Sequence, residues 1–93
     1  MRIDLYLSTT GLIKRRTIAR EFCDSGKVTL NDKAVKPSKE IAEGDIIGLR
    51  LSSGYKSVEV TDIPRKNLRK GEGENYYIIK EFQPRESRKR EEF

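Results

Sequence analysis

The 93-residue sequence contains no histidine and no tryptophan, and it has only one cysteine and three prolines. The lack of histidine removes the side chain that most often acts as a general base and most often binds metal ions. A single cysteine excludes an internal disulfide bond and a multi-cysteine metal site. No apolar run approaches the roughly 18 residues that a membrane helix requires, and no signal-peptide core is visible. We therefore expect a soluble, cytoplasmic protein that has no membrane contact, no metal and no cofactor.

Hydrophobic residues are also scarce, at 34% of the chain against 38% charged residues. This composition predicts one domain with a modest core and some segments outside it. Segments 1–36 and 64–93 carry net charges of +4 and +3, whereas segment 37–63 carries −2. Two basic zones around an acidic middle suit a polyanionic partner. No glycine-rich nucleotide loop and no nucleophile–base set can be assembled, so the sequence indicates a binding module and not an enzyme.

Segment 12–37 carries the most information. It predicts a helix at about 14–24 that begins with three consecutive cations, Lys14, Arg15 and Arg16. Cations in a first helical turn oppose the helix dipole by about 0.3–1 kcal/mol each. One interpretation is a solvated charged face. The unfavourable placement, next to a basic hairpin, favours phosphate binding instead.

The same segment shows which face of this helix should meet the core. On a helical wheel, Ile18, Ala19, Phe22 and Cys23 share one apolar sector, with Arg16 and Arg20 along its border. Arg15 points into the apolar sector, from which its long side chain would have to reach outward. Cys23 is interpreted as a thiol packed in the core.

A hairpin should follow this helix. Gly26 occupies the position of a left-handed helix end. Strands are predicted at 27–31 and 33–36, joined by Asn31 and Asp32, which suit the two positive-φ positions of a tight turn. Pro37 ends the return strand.

The N-terminal ten residues predict another short helix, at about 3–9. Asp4 lies in its first turn and is interpreted as structural, because a carboxylate there meets free backbone N–H groups. Arg2 has no evident packing role, and near Arg16 it would complete a basic cluster.

The rest of the chain predicts three more strands, at 46–52, 55–62 and 76–82, with Gly48 marking either a bulge or a close approach. Segment 64–75 reads as a basic loop, either an arm onto phosphates or a solubilising connection. The aromatic residues of 76–82 would pack on the sheet or stack on bases. Segment 83–93 has no periodicity and is predicted to be a disordered charged tail.

Three stretches together carry a resemblance to a known family: MRIDLYL, then LIKRRTIAREFCDSGKVTLNDKAVKPS, then GDII. They resemble the S4-type (alpha-L) RNA-binding domain over about residues 1–51. The implied fold is α+β, with two short helices packed on a small, mostly antiparallel sheet, followed by a C-terminal β extension and the disordered tail. The domain organisation is then 1–63 for the S4-type domain with its following β-hairpin, 64–75 for the basic loop, 76–82 for the final strand and 83–93 for the tail.

Short chains of this kind are similar to the RqcP and heat-shock protein 15 families. The RqcP resemblance implies binding to large (50S) ribosomal subunits blocked by peptidyl-tRNA, through ribosomal RNA and the P-site tRNA. It also implies support of alanine tailing with an RqcH-type partner, and we expect a monomer off the ribosome. Arg2 and Arg16 are the strongest RNA-contact candidates by motif position. The full set of candidates is Arg2, Lys14, Arg15, Arg16, Arg20, Lys27, Lys33 and Lys36.

Two positions depart from the RqcP pattern: Leu5 and Ser8 make the first helix less basic than expected. Three rival functions are also considered. The chain would recycle blocked 50S subunits without tailing, as heat-shock protein 15 does; it would be an accessory part of an RNA-modifying enzyme; or it would bind another protein through 76–82 as an edge strand.

Overall fold

The computed structural model describes residues 1–69 and 71–84. Two helices come first, α1 at Ile3–Thr9 and α2 at Arg16–Asp24. Five strands follow: β1 at Val28–Leu30, β2 at Lys33–Ala34, β3 at Ile46–Leu51, β4 at Gly54–Val60 and β5 at Tyr77–Pro84, with a 3₁₀-helix at Gly73–Tyr76 before β5. All pairings between these strands are antiparallel, in the order β2-β1-β3-β4-β5. The predicted α+β fold is confirmed.

The core lies between the two helices and one face of the sheet. Alternate residues of the central strands point to this face, as the two-residue period of a strand requires. The buried apolar side chains are Ile3, Tyr6, Leu7, Ile13, Ala19, Cys23, Val28, Leu30, Ile41, Ile47, Leu49, Val58 and Val60. Because all of them belong to one contiguous cluster, both helices are held on the same side of the sheet. No helix within the described residues is long and apolar enough to span a membrane.

Two local turn predictions are confirmed. Gly26 has a φ of 78°, and the N–H of Lys27 donates to the carbonyl of Phe22 at 2.8 Å. This is the Schellman arrangement that ends a helix in the left-handed region. Asn31 and Asp32 have φ values of 52° and 72° and join β1 to β2 in a tight turn. The first turn leads from α2 directly into β1, and the second pairs β2 with β1, so the basic hairpin follows immediately after α2.

The N-terminus is held against the segment that leads into β3. The Ile3 N–H donates to the Lys39 carbonyl at 2.8 Å, and the Ile41 N–H donates to the Met1 carbonyl at 3.1 Å. The terminal amino group pairs with Glu40 at 3.0 Å. Arg2 is therefore fixed in extended backbone directly before α1.

Several element boundaries differ from the predictions. Helix α2 begins at Arg16 and not at Lys14, since Arg15 is still extended. Strand β2 ends at Ala34 and β4 ends at Val60, whereas both were expected to run two residues further. The loop predicted for 64–75 contains most of the 3₁₀-helix. Gln83 and Pro84 belong to β5 and not to a tail, and residues 85–93 of the predicted tail lie outside the described residues.

At Gly48 the strand pairing runs through without a break, so this glycine marks a close approach and not a bulge. A Cβ atom there would lie 2.5 Å from Oγ1 of Thr29 and 2.6 Å from Oη of Tyr55. The irregularity in the sheet lies instead between β4 and β5, at Ser57 and Val58. It coincides with the strand at the edge of the sheet.

Strand β5 joins the sheet but is poorly covered. Ile78, Ile79 and Phe82 are 55%, 51% and 45% exposed. Phe82 lies beneath the ammonium group of Lys56, 5.9 Å from the ring centre. The expectation that this segment packs on the sheet therefore holds for its backbone pairing but not for these three side chains.

Candidate nucleic-acid interface

The cations before α2 are presented by a stretch of extended chain. Ile13 is buried, and its N–H donates to the Leu7 carbonyl at 3.1 Å, which holds the chain against α1. Arg15 then has extended backbone angles (φ −120°, ψ 138°), and its carbonyl accepts the first helical bond, from the Ala19 N–H at 3.0 Å. Lys14 and Arg15 thus lie outside the helix, and both are exposed. Only Arg16 opposes the helix dipole from within the first turn.

This later start explains why Arg15 does not meet the core. The helical wheel placed Arg15 in the apolar sector, but a residue with extended backbone does not follow the helical period. Ala19 and Cys23 are buried and Phe22 is half-buried, as expected. Ile18 is 37% exposed, so its predicted place in the buried stripe is wrong. The stripe that faces the core is narrower than the wheel indicated.

Arg2 and Arg16 meet at one carboxylate. Arg2 donates from Nε to Oδ1 of Asp4 at 3.2 Å and from Nη2 to Oδ2 at 3.1 Å. Arg16 donates from Nε to the same Oδ2 at 3.4 Å. Asp4 is fully buried, while the Arg2 and Arg16 side chains are 41% and 44% exposed. The predicted basic cluster of Arg2 and Arg16 is therefore built around a buried negative charge.

Arg20 lies one helical turn after Arg16 and is exposed. Residues four apart occupy the same face of a helix, so the two arginines form a short basic row along α2. Arg20 forms no ion pair within the part of the chain that the structure describes. Its guanidinium group is therefore available to a ligand.

The hairpin supplies a second group of cations. Lys27 lies over the ring of Phe22, with Nζ 5.0 Å from the ring centre, which ties the hairpin to α2. Lys33 and Lys36 line an open groove of about 720 Å³ together with Lys39. Lys39 was missed by sequence reasoning. The signal was its spacing of three residues from Lys36 in a polar bend, where the Lys39 N–H donates to the Lys36 carbonyl at 3.0 Å.

The end of α1 forms another open groove, of about 550 Å³, with residues 68–69 and 71–74. Lys14 and Arg69 both line it, together with the hydroxyl residues Ser8 and Thr9 and the carboxylate of Glu74. Arg69, from the predicted basic loop, therefore shares a groove with Lys14, which precedes α2. Ser8, which makes α1 less basic than expected, forms part of this lining.

The thiol of the single cysteine lies in the core. Cys23 is 4% exposed, and burial, with smaller contributions from Asp4 and Asp24, raises the pKa of its thiol to about 11. A thiol with a raised pKa is a poor nucleophile at neutral pH. Among residues 1–69 and 71–84, no three His, Cys, Asp or Glu side chains are placed to hold a metal ion. The candidate interface therefore offers cations and hydroxyl groups, and neither a reactive thiol nor a metal site is found among the described residues.

Comparisons with known proteins give a consistent result. The sequence profile of the S4 domain matches residues 1–47. A protein of Halalkalibacterium halodurans named RQC P-site tRNA stabilizing factor is 36% identical over 84 residues, which cover 90% of this chain and 94% of that protein. A protein of the same name from Helicobacter pylori is 44% identical over 64 residues, covering 69% of this chain and 76% of that protein.

The solved structures include a heat shock protein. Trimeric heat shock protein 15 of Vibrio cholerae superposes with a TM-score of 0.79 at 29% identity, over 85% of this chain and 80% of that one. The solution structure of the protein HP1423 superposes with a TM-score of 0.74 at 35% identity, over 87% of this chain and 98% of that one. Sequence and fold thus agree on the same group of relatives.

Proposed function

The chain belongs to the S4-domain family, within the group that includes the RQC P-site tRNA stabilizing factors and heat-shock protein 15, and we propose that it binds blocked large ribosomal subunits. The observation that carries this proposal is the pair of half-exposed arginines, Arg2 and Arg16, on the buried carboxylate of Asp4. Arginine binds phosphate through a fork of N–H donors, and this pair presents two such groups side by side.

The proposed RNA-binding surface consists of this pair and the exposed cations around it: Lys14, Arg15, Arg20, Lys27, Lys33 and Lys36. Lys14 and Arg15 lead into α2, Arg20 continues the row along it, and the three hairpin lysines extend the surface. Phosphate contacts of this kind supply affinity without reading base sequence. The surface therefore suits structured RNA that is recognised by its shape.

The target is a 50S subunit that carries peptidyl-tRNA in the P site. There the protein contacts ribosomal RNA and the tRNA, and it supports alanine tailing of the nascent chain with an RqcH-type partner. The relatives named P-site tRNA stabilizing factors support the tRNA contact. The protein acts as a cytoplasmic, non-catalytic binding factor. It is a monomer off the ribosome, and a trimer in sedimentation equilibrium would contradict that part of the proposal.

The test is sedimentation of tagged protein from stressed cells through a sucrose gradient, with tRNA probed in every fraction. Wild type is compared with Arg16→Ala and with Arg50→Ala. Arg50 is a matched control because it is exposed on β3 and alternates with buried Leu49, so it lies on the sheet face away from the helices. Both variants lose one positive charge.

We expect wild type and Arg50→Ala to co-migrate with tRNA-bearing 50S subunits, and Arg16→Ala to remain near the top of the gradient. Thermal melts must accompany the gradients, because Arg16 also neutralises Asp4. If wild type stays at the top in low salt, the ribosomal proposal fails. If Arg50→Ala is absent from the 50S fractions to the same extent as Arg16→Ala, the protein binds through net charge and not through the proposed surface.

A second candidate function is recycling of tRNA-blocked 50S subunits without tail synthesis. The superposition with heat shock protein 15 of V. cholerae, at a TM-score of 0.79, favours it. The two candidates differ in one measurable product. If deletion of the gene abolishes alanine tails on stalled chains, the tailing role holds; if tails persist while blocked 50S subunits accumulate, recycling is the function.

A further inference from the structure

Asp4 is the only charged residue that is buried in the part of the chain covered by the structure. A buried carboxylate is strongly disfavoured unless charged partners and hydrogen bonds satisfy it. Arg2 and Arg16 supply three donor contacts between 3.1 and 3.4 Å, and the Leu5 N–H donates to Oδ1 at 2.7 Å. The carboxylate is therefore bound to Arg2 and Arg16, the two strongest candidates for RNA contact in the proposed surface.

The donors that remain on the two arginines lie on the outer side. A guanidinium group has five N–H donors. Arg2 directs Nε and Nη2 to Asp4, and Arg16 directs only Nε. Because Asp4 is at 0% exposure while the two arginines are at 41% and 44%, the carboxylate holds the inner edges and leaves the outer N–H groups at the surface.

We infer that Asp4 is a positioning residue for RNA binding, which fixes Arg2 and Arg16 side by side before the phosphate arrives. The inference rests on the proposed function. Ordering a free arginine side chain on binding loses rotamer entropy, and a group that is already held loses less. The carboxylate also lets two positive charges lie close together in the free protein, where they would otherwise repel each other.

A positioning role and simple charge attraction predict opposite changes in RNA affinity when the charge of Asp4 is removed. Asp4→Asn removes a negative charge from the centre of a basic surface. If only net charge mattered, the variant would bind RNA more tightly and its affinity would fall more steeply with salt. If Asp4 positions the arginines, the variant binds more weakly although the surface has become more positive.

The experiment measures binding of the full chain to purified 50S subunits that carry P-site tRNA, over a salt series. Asparagine keeps the size of the side chain and an oxygen for the Leu5 N–H. We expect Asp4→Asn to weaken binding by about tenfold or more, in line with the loss of charge-assisted hydrogen bonds. Unchanged or tighter binding by a folded Asp4→Asn variant would overturn the inference.

A double-mutant cycle separates positioning from a general loss of structure. The cycle is measured at low ionic strength, where phosphate contacts of the remaining cations keep binding measurable. In an Arg2→Ala/Arg16→Ala background, Asp4→Asn should then change affinity by less than about twofold, because the groups that it positions are gone. An undiminished effect in that background would show that Asp4 acts through the domain as a whole, and the inference would fail. Circular dichroism must show each variant folded at the assay temperature.

A measurement on the wild type covers the case in which Asp4→Asn does not fold. NMR relaxation of the arginine Nε–H groups in the free protein should show Arg2 and Arg16 to be rigid and Arg20, which has no such partner among the described residues, to be mobile. Equal mobility of all three would contradict the inference. If wild type does not bind the subunits at all, the proposed function fails and the inference falls with it; weak binding by Asp4→Asn alone supports both.

Discussion

The phenol of Tyr6 donates a hydrogen bond of 2.6 Å to the backbone carbonyl of Tyr76, 70 residues along the chain. The same carbonyl accepts the Thr61 N–H at 3.1 Å. Helix α1, the end of β4 and the start of β5 therefore meet at one oxygen atom. Through this contact the C-terminal β extension helps to fix α1, which carries Asp4 and begins directly after Arg2.

Tyr6→Phe removes the donor and leaves the ring in place. We expect a loss of about 1 kcal/mol in the free energy of unfolding, because the Tyr76 carbonyl keeps a backbone partner. Hydrogen exchange should become faster at the Tyr77 end of β5. The measurement is urea unfolding together with exchange, and Tyr55→Phe is the control, since the Tyr55 hydroxyl makes no hydrogen bond within the described residues. Equal losses in the two variants would contradict a specific role for the Tyr6 contact.

Gly73 fixes the same junction by a different means. A methyl group at this position would overlap the backbone carbonyl of Thr10, which cannot rotate away as a side chain does. Gly73→Ala should therefore lower the free energy of unfolding by about 1–3 kcal/mol, as overpacking commonly does. Gly48→Ala is the comparison, because its new methyl group would meet side-chain atoms of Thr29 and Tyr55. A smaller loss in the free energy of unfolding for Gly73→Ala than for Gly48→Ala would show that the Thr10 backbone moves to accommodate the methyl group.

Features that depend on neighbouring residues could be predicted from the sequence, whereas features that depend on contacts between distant segments could not. The glycine helix end at Gly26 and the positive-φ turn at Asn31 and Asp32 were predictable, because each depends on the conformational preferences of neighbouring residues. The exposure of Ile18 and of β5 was not, because periodicity shows which side chains share a face but not where the covering elements end.

The candidate site likewise has some features that could be predicted from the sequence and one that could not. Its cations were visible in the sequence, and the closeness of Arg2 and Arg16 was predicted as a basic cluster. The shared carboxylate was missed: Asp4 was interpreted through the helix dipole alone, whereas the contact to Arg16 crosses 12 residues. The assignment of the eight cations to RNA stays a prediction.

Asn31 combines two roles that substitution can separate. Its Oδ1 accepts the Ile46 N–H at 3.0 Å, its Nδ2 donates to Asp45 at 3.2 Å, and its φ of 52° is left-handed. Asn31→Gly loses only the side-chain bonds, so we expect a loss of about 1 kcal/mol. Asn31→Ala also meets backbone strain and should lose about 1 kcal/mol more. Thermal unfolding of the two variants measures the difference, and equal stabilities would mean that the turn relaxes.

The Cys23 thiol makes stability depend on pH. Burial, followed by Asp4 and Asp24, raises its pKa from 9.0 to about 11. In the unfolded chain the thiol loses its proton from about pH 9, whereas in the folded domain it keeps the proton until about pH 11. The unfolded state thus binds fewer protons in this range, and the free energy of unfolding must fall as the pH rises. The Cys23 contribution is complete below pH 9 and lost above pH 11.

A difference of this size between the folded and unfolded pKa values corresponds to a loss on the order of 3 kcal/mol. Urea unfolding of wild type and Cys23→Ala at several pH values between 8 and 11 checks this prediction. All other side chains are the same in the two proteins, so the difference between the two curves isolates the thiol. We expect the wild type to lose its advantage as the pH rises, and parallel curves would contradict the raised pKa. Because Cys23 stays neutral at physiological pH, Asp4 remains the one buried charge among the described residues.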